Sequence, residues 1–155
     1  MRKFLIAISV IALCILWTIT IRATTGPEAL PNRIPTHFDA AGNPNAWGSP
    51  NGLFLLPAIA TAIFLIIGLI SRKPESFNYP VRVTLQNRDR LQSLAVQMTA
   101  FLQAETVCLF LILQFAILHA FRAGHFALPP AVIPVGVVLI LITTISHIVA
   151  MRRCT

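Results

Sequence analysis

Charged side chains are scarce in this chain. Asp, Glu, Lys and Arg make up 11% of its 155 residues, against about 25% in an ordinary globular protein. Hydrophobic residues make up 56%, and a compact core in a chain of this size covers only about two thirds of its surface. Too much apolar surface would therefore face water, so the composition excludes a soluble domain and indicates a lipid environment.

Metal-binding, catalytic and phosphate-binding patterns are lacking as well. The chain has three cysteines, and none has the spacing of a zinc site or of a disulfide framework. Glycine-rich phosphate loops and the HExxH and GxSxG patterns do not occur in the sequence. We therefore expect no metal, no cofactor and no enzymatic activity. We expect no nucleic-acid partner either, because the basic residues punctuate apolar runs instead of clustering on one polar face.

What the chain does have is four long apolar stretches. A helix needs about 20 mostly apolar residues to cross the roughly 30 Å hydrocarbon layer of a bilayer. The stretches run at about 4–21, 53–70, 94–121 and 131–151. We therefore predict an all-α membrane protein forming a single integral domain over 1–155. It has four transmembrane helices, a structured outer loop at 22–52 between the first two, an inner loop at 71–93 and a short outer turn at 122–130.

The first stretch has two interpretations. It follows a positively charged start, as a secretory signal does, but its apolar run is longer than the usual 7 to 15 residues and no A-x-A site follows it. The sequence therefore favours an uncleaved membrane anchor over a removed signal.

Lysine and arginine are distributed unevenly between the two sides of the predicted bundle. With the N-terminus inside, nine basic residues flank the helices on that side and three on the other. Basic residues are retained on the cytoplasmic side of a membrane. We therefore predict a multi-pass protein with both termini in the cytoplasm. Almost all of the net charge of +7 then lies on the inner side of the membrane.

The outer loop has the pattern of a small hairpin. Residues 34–38 alternate with a period of two, which is typical of a strand, and Gly42-Asn43-Pro44 supplies a turn. We therefore expect a hairpin-like cap. A rigid loop that carries aromatic and ionisable groups is typical of a recognition surface for an extracellular peptide or a lipid headgroup. The candidate ligand-binding residues on it are Arg33, His37, Asp39 and Trp47.

Two other roles remain open for these residues. A hydrogen-bonded structural cap needs no ligand and has the same composition. A cation site built from His37 and Asp39 with the amides of Asn43 and Asn45 would supply oxygens that suit calcium. One carboxylate gives little affinity, however, so we assign no metal to the loop.

The order of residues in this loop also resembles a known family. The chain reads L-P-N-R-I-P-T-H-F-D-A-A-G-N-P-N-A-W-G-S over 30–49 and continues into an apolar helix. This resembles the N-terminal domain of unknown function in the SdpI-type bacterial membrane immunity proteins. The resemblance implies a non-catalytic protein of the bacterial cytoplasmic (inner) membrane that acts in immunity to, or sensing of, an extracellular peptide or envelope component. Another membrane protein is an alternative partner. Full-length members carry a further membrane domain, so we expect a stand-alone relative.

The third apolar stretch places an acid at membrane depth. Glu105 lies about eleven residues into it, and an ionisable group there is a functional-site hypothesis by default. Gln103 and His147 are the other candidate intramembrane polar residues, and we expect His147 to be the neighbour of Glu105 because the two have similar depth. Gln103 and Gln114 point nearly opposite to Glu105 on a helix, so we expect the glutamines to hydrogen-bond to other helices.

Glu105 is compatible with two roles. In the simpler one, a protonated Glu105 only hydrogen-bonds within the bundle or at the interface of a homo-oligomer. In the alternative, the chain is a small proton-coupled transporter or exporter that acts as an oligomer, with His147 or Gln103 assisting the acid. An intramembrane enzyme is disfavoured because no nucleophile has a base at a workable spacing.

Overall fold

Four long helices dominate the part of the chain that the structure describes. The computed structural model describes residues 1–27, 29–39, 43–123 and 131–154. The helices are α1 (Arg2–Thr25), α2 (Leu55–Ile70), α3 (Arg88–Ala123) and α4 (Val132–Arg152). Each is long and apolar enough to cross a membrane, α2 together with the 3-10 helix Pro50–Phe54 that leads into it. The predicted all-α membrane protein with four spans is confirmed.

Two helices extend beyond the apolar stretches that predicted them. α1 continues to Thr25 instead of ending near 21, because its last turn contains Arg22 and two threonines, whose low hydropathy hides the end of the helix. α3 begins at Arg88 instead of about 94, because its first turn is charged and hydropathy does not detect it. Both connecting loops are therefore shorter than predicted. Most of the predicted outer turn, residues 124–130, lies outside the described residues.

α3 is the central helix and packs against the other three. Leu5 of α1 clusters with Ala100, and Leu13 clusters with Val107, so α1 and α3 run parallel. The last turn of α4 packs on the first turn of α3, so these two helices are antiparallel. Both chain termini therefore lie at one end of the bundle, the terminal end. The opposite end carries residues 31–39 and 43–54 and is called the hairpin end below.

A buried glutamine of α3 ties the helices together near the hairpin end. Gln114 is fully buried, and its Nε2 donates to the Thr20 hydroxyl of α1 at 2.9 Å and to the Leu53 carbonyl at 3.3 Å. The helical donor to the Leu53 carbonyl would come from residue 57, which is a proline without an N–H. Gln114 therefore supplies the hydrogen bond that Pro57 cannot make, in a region where no bulk water is present to do so.

Two further side chains make hydrogen bonds between helices. Gln103 of α3 donates from Nε2 to the Phe64 carbonyl of α2 at 2.8 Å. Gly68 leaves room for it, since a Cβ at this position would lie 3.2 Å from the Gln103 Nε2. Trp17 of α1 donates from Nε1 to the Thr61 hydroxyl of α2 at 3.0 Å. The prediction that both glutamines bond to other helices is confirmed.

The outer surface of α4 is apolar and exposed. Val138, Ile142 and Ile145 are each more than half exposed, at 51%, 57% and 58%. Side chains of this kind on a membrane-spanning helix face lipid tails. The helices of this chain therefore contact a lipid bilayer.

A two-stranded hairpin connects α1 to α2, as predicted. Strand β1 (Ile34–Phe38) pairs antiparallel with β2 (Pro44–Gly48). A Cβ at Gly48 would lie 2.8 Å from the Thr36 Cγ2, so glycine permits the close approach of the two strands here. Residues 40–42, which include part of the predicted turn, lie outside the described residues.

The segment between α2 and α3 is anchored at the terminal end. Asn87 donates from Nδ2 to the Cys154 carbonyl at 2.8 Å and accepts the Thr84 N–H at its Oδ1 at 2.8 Å. Burial, and secondly the negative charge of Glu75, raise the pKa of Tyr79 in this segment above its usual value. The segment is thus a packed part of the fold that joins the start of α3 to the end of α4.

Replacing Gln114 by leucine tests the role of its hydrogen bonds. Gln114→Leu keeps the size of the side chain but removes the donor to Thr20 and to the Leu53 carbonyl, so we expect it to lower the free energy of unfolding by about 1–3 kcal/mol. The measurement is reversible unfolding in mixed detergent micelles. Gln97→Leu is the matched control, because Gln97 bonds to Ser93 of its own helix, at 3.5 Å, and to no other side chain that the structure describes. An equal loss in both variants would contradict the assigned role.

Candidate functional site

A cleft of about 520 Å³ lies beneath the hairpin, and we call it the hairpin cleft. Its floor is apolar and comes from α2, α3 and α4, with Leu56, Leu113, Ile117, Phe121 and Ile133 among its residues. Its rim is polar and comes from the hairpin and the following turn, with Thr36, His37, Asp39 and Ser49. Ligand pockets of proteins have volumes of about 300–1,000 Å³ and combine apolar walls with a few polar groups. The hairpin cleft fits that description and is the candidate functional site.

Hydrogen bonds across the hairpin hold the two ionisable rim residues. His37 Nδ1 hydrogen-bonds to the Asn45 Oδ1, and because an amide oxygen only accepts, the ring nitrogen is the donor. Asp39 Oδ1 accepts the Asn43 N–H at 2.9 Å, and the Asp39 N–H donates to the Asn43 carbonyl at 2.9 Å. The hydrogen-bonded cap that the sequence left open is thus present, and it presents His37 and Asp39 to the cleft.

Arg33 and Trp47 lie on a second, smaller cleft of about 180 Å³ on the hairpin. The sequence pattern placed all four candidate residues on one recognition surface, whereas the structure divides them between two clefts. The division follows from the strand register. Pro35 pairs with Trp47 but His37 pairs with Ala46, and a one-residue shift in register moves side chains to the other face. The two clefts share Phe121 and the start of β1.

Glu105 faces α4, and its hydrogen-bond partner there is a threonine. Thr143 Oγ1 donates to the Glu105 Oε1 at 2.5 Å. His147 Nδ1 instead lies 2.8 Å from the Thr143 carbonyl of its own helix, and its ring packs against Phe101 with centroids 5.6 Å apart. His147, the expected neighbour of Glu105, is therefore not its hydrogen-bond partner. Glu105, Gln103 and His147 do not form one group, because Gln103 bonds to α2.

A lateral cleft of about 490 Å³ borders Glu105 between α3 and α4. Its walls are otherwise apolar and include Leu5 of α1, Leu109 of α3 and Leu139 of α4. The second carboxyl oxygen, Oε2 of Glu105, is buried and has no hydrogen-bond partner among the residues that the structure describes. This oxygen is an intramembrane polar group that the fold leaves unused.

The described residues offer no clear metal site. Within 1–27, 29–39, 43–123 and 131–154, no three or more side chains of His, Cys, Asp and Glu come together as a metal ion would need. His37 and Asp39 are hydrogen-bonded to Asn45 and Asn43. The cation site considered for the loop therefore gains no support from the geometry.

Comparison with known proteins places the chain in a family. Residues 4–61 match a domain of unknown function, DUF1648. An uncharacterized protein of the archaeon Archaeoglobus fulgidus is 31% identical over 140 residues, which cover 81% of this chain and 75% of the relative. The chain belongs to the same family as that archaeal protein. No solved structure matches the chain. The matches to DUF1648 and to the archaeal protein do not show that the chain belongs to the SdpI-type family.

The DUF1648 match contains only part of the candidate site. It includes the hairpin, with all four predicted ligand-binding residues, and the first turns of α2. The rest of the floor of the hairpin cleft comes from α3 and α4, outside the match, as do Glu105 and Thr143. The DUF1648 segment thus supplies the polar rim of the hairpin cleft and part of its floor. The remainder of the chain supplies the rest of the floor.

Proposed function

We propose that the protein is a non-catalytic membrane module that recognises an extracytoplasmic peptide or envelope component in the hairpin cleft. The observation that carries the proposal is the cleft itself, which joins an apolar floor to a polar rim. A peptide with one large apolar side chain matches this arrangement, since its side chain would contact the floor and its backbone the rim. The resemblance of residues 30–49 to the SdpI-type immunity domain supports a role in immunity or sensing.

The energetics favour an apolar anchor. Full burial of a side chain such as Leu or Phe contributes about 1.5–3 kcal/mol, and each 1.4 kcal/mol changes a dissociation constant about tenfold. The floor residues Ile117 and Phe121 come from the central helix, so they stand on the most firmly packed element of the fold. Recognition of one anchor side chain on a rigid floor loses little free energy to ordering.

Filling the hairpin cleft tests this function. The full chain is expressed in a bacterium that is challenged with a panel of secreted amphipathic peptide toxins, and survival is measured. We expect the wild-type chain to protect against at least one toxin and Ile117→Trp to lower that protection about tenfold, because the indole occupies the floor. Ile142→Trp is the control and should protect fully, since Ile142 is 57% exposed on α4.

Two outcomes would contradict the proposal. One is the absence of protection by the wild-type chain against every toxin in the panel. The other is equal protection by Ile117→Trp and wild type at equal membrane levels, which would show that the cleft has no part in the effect.

We further propose that the hairpin end is extracytoplasmic and the terminal end cytoplasmic, in a bacterial inner membrane. The fold supports this orientation because both termini lie at the end where most of the basic residues lie. In a cysteine-free background, Asn32→Cys should react with an impermeant maleimide in intact cells, and Leu85→Cys, which replaces a 95% exposed side chain, only after permeabilisation. The reverse pattern would contradict the orientation. Native Cys154 is a poor reporter because it is 4% exposed.

A small proton-coupled transporter acting as an oligomer is the second candidate function. The observation that favours it is the Glu105 carboxyl, which borders the lateral cleft and keeps one buried oxygen without a partner among the described residues. A carboxyl group at membrane depth is the kind of group that proton coupling uses.

A further inference from the structure

The lateral cleft contains few side chains that can carry a charge. Glu105 is the one acidic or basic side chain among the cleft residues that the structure describes. Cys108 also lines the cleft, while His147, one turn beyond Thr143, turns its ring to the Thr143 carbonyl and to Phe101. No lysine or arginine lines this space among the described residues. An ionised Glu105 would therefore have no basic counter-charge among the described residues of the cleft.

The hydrogen bonds of the carboxyl group leave one position for that counter-charge. Thr143 satisfies Oε1, but Oε2 is buried without a partner among the described residues. A buried acceptor without a partner is costly, and more so when it is charged in a hydrocarbon environment. A cation placed beside Oε2 would give this oxygen the partner that it lacks among the described residues.

The remaining walls identify the class of cation. A sodium or calcium ion needs about six oxygen ligands, whereas the carboxyl of Glu105 is the one side-chain oxygen group among the described residues of the cleft. Apolar walls favour a ligand whose own surface is apolar, and the ring of Phe101 offers a face for a cation. The cleft volume of about 490 Å³ lies in the range of sites for drug-sized ligands.

The packing of α4 keeps the carboxyl group in position. A Cβ at Gly136 would lie 2.8 Å from the Leu109 Cδ1, so a larger residue there would displace the Leu109 side chain. Both residues line the lateral cleft, and the hydrogen bond from Thr143 to Glu105 joins the same two helices. The site therefore lies at the interface between α3 and α4.

We propose that the lateral cleft binds a lipophilic monovalent cation, with apolar groups shielding its charge, and that Glu105 is the counter-charge. The site lies apart from the hairpin cleft and does not depend on the recognition function proposed for it. If the chain is a transporter, this would be its substrate site.

Binding of tritiated tetraphenylphosphonium to the purified full chain in lipid nanodiscs tests the proposal. We expect saturable binding. Glu105→Gln should weaken it about tenfold or more, because the amide keeps the shape and accepts from Thr143 but cannot carry the charge. Glu75→Gln removes an exposed carboxylate at the terminal end and should leave binding unchanged. Leu139→Trp should also weaken binding by filling the cleft.

Tetraphenylborate is the matched probe for the role of charge, because it has the same shape and the opposite sign. We expect no saturable binding of this anion to the wild-type chain. Equal binding of the two ions, no saturable binding of the phosphonium, or undiminished binding by a folded Glu105→Gln variant would each overturn the proposal. The first two outcomes need no variant, so a misfolded mutant cannot obscure the result.

Binding and transport remain distinguishable. A pH gradient across proteoliposomes tests whether the bound phosphonium moves across the membrane. Saturable binding without flux would support the site and remove the transporter as a candidate function. Flux without a requirement for Glu105 would overturn the assigned site.

Discussion

A polar side chain in lipid must find its partner within the protein, and the central helix places one such side chain against each of its three neighbours. Gln114 bonds to α1 and to the turn that leads into α2, Gln103 bonds to α2, and Glu105 bonds to α4. Apolar contacts select neighbours weakly in a membrane, because lipid tails are as apolar as leucine. These hydrogen bonds therefore add to the packing that holds each helix against its own face of α3. The hairpin and both clefts depend on that arrangement.

The same constraint explains why the two clefts differ in character. Gln114 supplies the N–H that Pro57 lacks, and its Oε1 is buried without a hydrogen-bond partner among the described residues. The Oε2 of Glu105 is also buried without a partner among them, and it belongs to a group that can carry a charge. Glu105 lines the lateral cleft, whereas the hairpin cleft takes its polar groups from the hairpin and the following turn.

Sequence alone predicted the features that depend on local periodicity. The four spans follow from hydropathy, the hairpin from alternation and turn residues, and the interhelical glutamine bonds from helix geometry. The division of His37 from Trp47 was not predictable, because it depends on a register shift within one short strand pair. Thr143 was missed as the partner of Glu105 because a mid-helix threonine normally bonds its own backbone, as Thr144 does with the Ile140 carbonyl. The one feature of the sequence that could have indicated Thr143 is its position in the fourth apolar stretch, at a membrane depth similar to that of Glu105.

The central claim is that polar side chains of α3 are energetically coupled to particular neighbours, and a double-mutant cycle measures this directly. Gln114→Leu, Thr20→Val and the double variant are unfolded reversibly in mixed micelles. We expect a coupling free energy of about 0.6–2 kcal/mol between Gln114 and Thr20. A control cycle of Gln114 with Thr144, which bonds within its own helix, should give none. No coupling between Gln114 and Thr20 would contradict the account.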